Sequence, residues 1–179
     1  MNKKILYGLQ TKAAMENFPF DYPLTHLEFI YAIVLVKKAA AKANLKAGKI
    51  DEKKAKKIIA ACDEVLQGRY NDQFVIKGLH GGAGTSVNMN GNEVIATISG
   101  THSNDDVNAS QSTNDVNPSA LKIISIKLTK KLLDSLLYLI KVMEKRAEEF
   151  KGVKKLARTH MQMRCRQLWE QSFSLTPIF

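Results

Sequence analysis

The sequence is poor in the residues that build covalent cross-links and metal centres. Its 179 residues hold one tryptophan, two cysteines, four prolines and four histidines. Cys62 and Cys165 are too few and too far apart for a disulfide framework, so a reducing cytoplasm is the expected home. His26, His80, His102 and His160 fall at no metal-ligand spacing, so no metal is expected. Long apolar runs are also missing. None approaches the roughly 20 residues that a membrane-spanning helix needs. The "ILYGLQT" that follows Lys3 and Lys4 supplies no apolar core for a secretory leader, and a soluble, unexported protein with no membrane partner is expected.

What is present is ordinary for a globular domain. Hydrophobic residues make up 45% and charged residues 25%, enough to bury a real core and to set disorder aside. The formal charge is +10, carried almost wholly by lysine, since only five arginines occur. The lysines concentrate in "KKAAAKANLKAGKIDEKKAKK", from Lys37 to Lys57. Such a run raises nucleic acid as a partner, but no aromatics are interleaved to stack on bases. A solvated helical face is the expectation, with no nucleic-acid partner. A non-enzymatic, basic helical binding module remains the alternative from another functional class.

Residues Leu24 to about Gln67 read as two helices. The first stops at Gly48; the second starts at Asp51, a plausible cap, and stops at Gly68. Gln73 to Lys77 reads as a strand or an extended link. From Pro118 to about Phe150 the apolar positions Leu121, Ile124, Leu128, Leu132, Leu136, Leu139 and Met143 mark one long helix with proline in its first turn. About 33 residues at 1.5 Å each exceed the width of a small domain, so this helix implies a bundle or an oligomer. The expected fold class is all-α or mainly α: an N-terminal helical domain, then the first long helix of a bundle, truncated.

Three polar segments carry the chemistry. In "GGAGTSVNMNGNE", Gly81, Gly82 and Gly84 allow tight turns, and Thr85, Ser86, Asn88 and Asn90 add hydroxyls and amides ahead of an apolar helical stretch. No P-loop lysine follows, and the third glycine of a dinucleotide fingerprint is absent. The segment fits a carboxylate or small-anion site, or a structural turn. "SQSTNDVNPSA" places Ser110, Gln111, Ser112, Thr113 and Asn114 before the long helix, with Asp115 and Asn117 as candidate caps beside Pro118. "ARTHMQ" offers Arg158, Thr159 and His160 after it.

Taken in order, "YGLQTKAAMENFPF", "KKAAAKAN", "AACDEVLQGRYNDQF", "GGAGTSVNMNGNEVIA", "NDDVNASQSTNDVNPSA" and "ARTHMQ" resemble the N-terminal part of the aspartase/fumarase superfamily. Within it, "GAGTSVNMN" and "QSTND" resemble the aspartate ammonia-lyase branch. Class II fumarases carry Gln where Ser86 stands and Ser where Thr113 stands, so a class II fumarate hydratase fragment is the alternative.

The resemblance implies anti elimination of ammonia from L-aspartate to give fumarate, through an aci-carboxylate stabilised by preorganised donors. No cofactor is implied, because the substrate's own carboxylate is the electron sink. The implied substrate-binding residues are Thr85, Ser86, Asn88, Ser112, Thr113, Asn114, Thr159 and His160. His160 is also the one candidate acid or base. The resemblance further implies a homotetramer whose active sites draw loops from three subunits.

Two departures stand out. Between "NEVIATIS" and "THSNDDVN" the family has a longer helix and loop, and Ser103 stands where it favours proline. The family's serine base, on a Gly-Ser-Ser loop followed by Met-Pro and a lysine, has no match here, so the fragment is expected to be inactive alone.

The expected organisation is 1–115 as the domain of substrate loops, 116–162 as the start of the bundle and 163–179 as a tail in an altered reading frame. After "THMQ" the family continues with a segment like "DAVPxTLGxEF". Shifting the frame by one base through "MRCRQLWEQSFSLTPIF", with allowed codons, yields "DAVPTTLGAEFFAYAYF".

Overall fold

Glycines and acidic caps punctuate the helices. The computed structural model describes residues 4–173, so Lys3 and residues 174–179 of the expected tail lie outside the described residues. Helix α2, Leu27–Lys46, ends just before Gly48, which takes a left-handed φ of 65°. Helix α3, Glu52–Leu66, starts at the expected cap: Asp51 accepts a hydrogen bond from the Lys54 N–H at 2.8 Å. Gly68, at φ 82°, follows its end.

Two further helices complete the frame of this half. Helix α1, Leu9–Asn17, has no counterpart among the sequence expectations. Helix α4, Thr85–Ser99, takes up the apolar stretch after the glycine-rich segment. Gln73 to Lys77 is not a strand of a sheet. Gln73 closes a 3₁₀ turn, Asn71–Gln73, and the link beyond it makes a single antiparallel bridge between Leu24 and Lys77.

The chain divides into two compact units, Met1–Ser125 and Ile126–Phe179. In the first, one side each of α2, α3 and α4 buries Ile30, Ile33, Val34, Ile58, Val65, Val87, Val94 and Ile95. This shared core is why the helices hold: burying a side chain of this size contributes about 1.5–3 kcal/mol. It also corrects the reading of the lysine run as a solvated face throughout, because Lys37 occupies the core-facing stripe of α2 and is fully buried.

Helix α5 runs Thr113–Glu149, 37 residues, starting earlier than the proline suggests. Ser112 and Asp115 both cap its start: the Ser112 N–H donates to Asp115 Oδ2 at 3.3 Å, and Ser112 Oγ accepts from the Asn114 N–H at 3.1 Å. Pro118 therefore sits in the second turn, where only the Asn114 carbonyl loses a helical partner. Val116, Ala120 and Ile124 are buried in the first unit's core. Beyond residue 125 the expected stripe is exposed, at Leu128, Leu132, Leu136 and Leu139.

The second unit contains a hairpin that the sequence reading does not anticipate. Strands β1, Lys154–Thr159, and β2, Gln162–Leu168, pair antiparallel with a register shift at Ala157 and Arg158. Phe150, Trp169 and Phe173 stack beside it, with ring centroids 5.5–5.9 Å apart and α6, Glu170–Phe173, supplying the last. The fold is mainly α, as expected, with this two-stranded sheet as its only sheet among the described residues.

Candidate functional site

The glycine-rich segment makes an anion-compatible helix start. Gly82, Ala83 and Gly84 all have positive φ, at 72°, 51° and 85°, and the chain then turns directly into α4. No side chain caps α4, and the Thr85 N–H turns back to Gly82 O, so the positive end of the helix dipole starts at a backbone turn with no acidic cap. Thr85 is exposed and its hydroxyl donates to Gly82 O at 2.7 Å. Thr85 and Ser86 line a small cleft of about 140 Å³ whose other wall is α1, through Gln10, Ala13 and Asn17.

The start of α5 lies against the start of α4. Asn117 Nδ2 donates to Gly84 O at 3.0 Å and to Ala83 O at 3.4 Å. Asn88, one turn into α4 and buried, donates through Nδ2 to Thr113 Oγ1 at 3.3 Å and to Asn108 Oδ1 at 3.4 Å. Its own Oδ1 is buried without a hydrogen-bond partner. Two helix N-termini thus converge, with the hydroxyls of Thr85, Ser86, Ser112 and Thr113 around them. Such a pair of positive ends suits a doubly anionic ligand.

The second polar segment is held from beneath. Lys37 Nζ donates to Asn108 Oδ1 at 2.8 Å and to Gln111 Oε1 at 3.3 Å. Asn44, on the same helix, donates to Ala109 O at 2.8 Å. Between these anchors Ser110 adopts φ 56°, a left-handed conformation that a non-glycine residue takes at a cost of about 1–2 kcal/mol. Burial pushes the Lys37 ammonium down to about 7. Burial likewise pushes the neighbouring Cys62 thiol up to about 12, so the thiol is neutral while Lys37 titrates.

Helix α1 is fixed by a long-range contact. The Glu93 carboxylate of α4 accepts from the N–H groups of Gly8, Gln10 and Thr11, at 2.8, 2.9 and 3.1 Å, and from Thr11 Oγ1 at 2.6 Å. An acidic group here satisfies orphan donors and meets the helix dipole.

Thr159 and His160 lie in the second unit, exposed at the end of the hairpin. His160 and Met161 both have positive φ, 49° and 62°, the signature of a two-residue turn of the I′ type. Of the eight expected binding residues, the structure therefore gathers Thr85, Ser86, Asn88, Ser112, Thr113 and Asn114 around the two helix starts of the first unit.

Sequence reasoning missed Lys37, Glu93 and Asn108, and it reads Asn117 as a cap of the long helix, whereas the Asn117 amide donates to Gly84 O and Ala83 O at the start of α4. Only Lys37 left a usable signal: with Ile30, Ile33, Val34, Ala41 and Asn44 it continues the buried spacing of α2. An apolar cleft of about 320 Å³ beside Phe18, Phe20 and Ile76 contains none of the expected binding residues.

Residues 2–173 match a protein-family model described as Lyase. An aspartate ammonia-lyase from Bacillus sp is 43% identical over 172 residues, covering 89% of this chain and 37% of that protein. A class II fumarate hydratase from Prochlorococcus marinus is 40% identical over 170 residues, covering 88% and 37%. Among solved structures, class II fumarase from Schistosoma mansoni superposes with a TM-score of 0.80 at 32% identity, covering 97% of this chain and 39% of that one. A fumarate lyase:delta crystallin from Brucella melitensis gives 0.79 at 39% identity, covering 94% and 43%.

The chain thus spans little more than a third of the length of the curated relatives it matches. The first alignment runs over 172 positions yet covers 89% of these 179 residues, so roughly a dozen of the relative's positions have no counterpart within the matched stretch. With the family match, the shared helical frame and the paired helix starts all in agreement, this chain belongs to the aspartase/fumarase superfamily of lyases.

Proposed function

We propose that the chain carries two of the substrate-binding segments of an aspartate ammonia-lyase, which converts L-aspartate to fumarate and ammonia. The observation that carries the reading is the Asn88–Thr113 contact, which joins two helix N-termini across 3.3 Å. Proton removal next to a carboxylate drives negative charge onto that carboxylate. The start of α4 at Ser86, which no side chain caps, and the hydroxyls of Ser112 and Thr113 are groups fixed in advance of that charge. Thr159 and His160 would complete the pocket in the assembled protein.

Binding without turnover is the proposal for these 179 residues by themselves, because none of them matches the family's serine-loop base. The exposed leucines of α5 would be covered by the bundle of a homotetramer, and the cytoplasm is the proposed location. Neither a metal nor a cofactor enters this scheme.

The second reading, a class II fumarate hydratase, is favoured by relatives of that name at 40% identity. Ser86 and Thr113 weigh against it, since the resemblance places other residues there in fumarases. Titration of the isotope-labelled chain with fumarate, L-aspartate and L-malate, read on the amides of Thr85, Ser86, Asn88, Thr113 and Asn114, tests both. Fumarate and L-aspartate are expected to shift those amides, and L-malate to do so more weakly. A response to none of the three would remove the reading, and a preference for L-malate would exchange it for the second.

A further inference from the structure

Lys37 is a large charged side chain in a place where charge is expensive. It is fully buried, on the core-facing stripe of α2, and its hydrogen-bond partners are two neutral amide oxygens, Asn108 Oδ1 and Gln111 Oε1. A buried ammonium that meets only neutral acceptors contributes little stability by itself. Nearby charges are engaged elsewhere: Asp63 of α3 pairs with Lys38, and Asp106 pairs with Lys54 at 2.8 Å and accepts from the His102 N–H at 2.8 Å. From α3 the neutral Cys62 thiol faces it, and from α4 Asn88 shares its acceptor on Asn108.

The partners of Lys37 form a continuous path to the proposed binding residues. Asn108 Oδ1 receives both Lys37 Nζ and Asn88 Nδ2, and the same Asn88 amide donates to Thr113 Oγ1. Asn108 Nδ2 donates to Gln111 O at 3.1 Å, and Gln111 Nε2 donates to Val107 O at 2.9 Å and Ala109 O at 3.2 Å. Both amide side chains that fold this turn upon itself are therefore oriented, oxygen inward, by one ammonium. The strained Ser110 lies between them.

We propose that Lys37 is a positioning residue for the substrate segment: its ammonium fixes the carbonyl oxygens of Asn108 and Gln111 inward and so sets the place of Thr113 at the start of α5. The inference deepens the proposed function and rests on it for the role of Thr113, while the positioning itself is a property of the fold. Because burial brings Lys37 down to about 7, the hold on the turn is sensitive to protonation near neutrality.

The test uses the full 179-residue chain. In the unsubstituted protein the Lys37 side-chain signal and the amides of Asn108, Gln111 and Thr113 are expected to titrate together, with one midpoint near 7. Lys37→Met should abolish that shared titration and raise hydrogen exchange at residues 108–113 by roughly tenfold or more, while the α3 and α4 core amides keep their protection. Lys37→Arg keeps the charge but not the shape, and should fail to restore the turn.

A uniform loss of protection in the variant would overturn the proposal in favour of a merely structural lysine. So would turn amides that do not follow the Lys37 titration in the unsubstituted protein, a measurement that needs no variant to fold. Fumarate titration separates the two readings: if the unsubstituted chain positions its turn as described but does not bind fumarate, the proposed function fails and the positioning role stands.

Discussion

Asn117 Nδ2 donates to Gly84 O at 3.0 Å and stands where a side chain on Gly84 would have to go. A Cβ built on Gly84 would lie 1.9 Å from that nitrogen, and Gly84 already has φ 85°. The contact ties the start of α5 to the start of α4 and admits only glycine at its centre. Gly84→Ala is therefore expected to cost about 2–3 kcal/mol, from left-handed strain and from displacement of Asn117. Thermal melting followed by circular dichroism measures the loss. An unchanged midpoint would show that the two helix starts are not joined in this way.

Glu93 supports α1 by a route just as specific. Its carboxylate accepts from four donors at the beginning of that helix. Glu93→Ala strands those donors and opens a gap beside Gly8, so a loss of about 3 kcal/mol is expected. Hydrogen exchange at Gly8, Gln10 and Thr11 should rise more than at any α3 amide. Equal exchange at both places would remove the clamp from the account.

These two contacts also mark the limit of what the sequence disclosed. Helices α2 and α3 were legible because their signals are local: Asp51 caps, Gly48 and Gly68 stop, and apolar spacing faces the core. Helix α1 was not, since what holds its N-terminus is a carboxylate more than 80 residues away. The binding segments could be found by resemblance, yet their joining through Asn117 and Asn88 is a fact of packing. Proline's preference for a first turn points to a start of α5 at Pro118. The caps from Ser112 and Asp115 support an earlier start, and the lysine run is not one solvated face because Lys37 points inward.

Stability should depend on pH through Lys37. Its folded value lies at about 7 against 10.5 for an ordinary lysine. Between those values the unfolded chain holds a proton that the folded chain has released, so stability rises with pH across that window. Below it both states are protonated and this contribution is flat. The total is on the order of a few kcal/mol. Urea unfolding at several pH values from 7 to 10 should show the rise, and Lys37→Met should flatten it. A rise of equal size in the variant would assign the slope to other groups.

The exposed stripe of α5 predicts self-association. Leu132 and Leu136 lie one turn apart, at 56% and 41% exposure, with Leu128 and Leu139 continuing the surface. An apolar surface of this kind on a long helix is a bundle face without its neighbours. The chain is expected to sediment as an oligomer or aggregate at micromolar concentration, and Leu132→Lys with Leu136→Lys to shift it toward monomer. Sedimentation velocity distinguishes them. A monodisperse monomer of the unsubstituted chain would mean that the stripe is not an association surface.

The tail yields a prediction that needs only the coding DNA. Strands β1 and β2 leave nearly every side chain exposed or half-exposed, and their turn places two non-glycine residues, His160 and Met161, in the left-handed region. A two-stranded hairpin of this kind is marginal in water, and what packs beside it is the Phe150, Trp169 and Phe173 cluster. His160 and Met161 belong to "ARTHMQ", the last segment that resembles the family, and "MRCRQLWEQSFSLTPIF" follows where the family has a segment like "DAVPxTLGxEF". The codons after Gln162, read one base earlier, are therefore expected to encode a segment like "DAVPTTLGAEF". Finding no such segment in that frame would make residues 163–179 a genuine extension, and the hairpin would then have to be explained by selection for a function of its own.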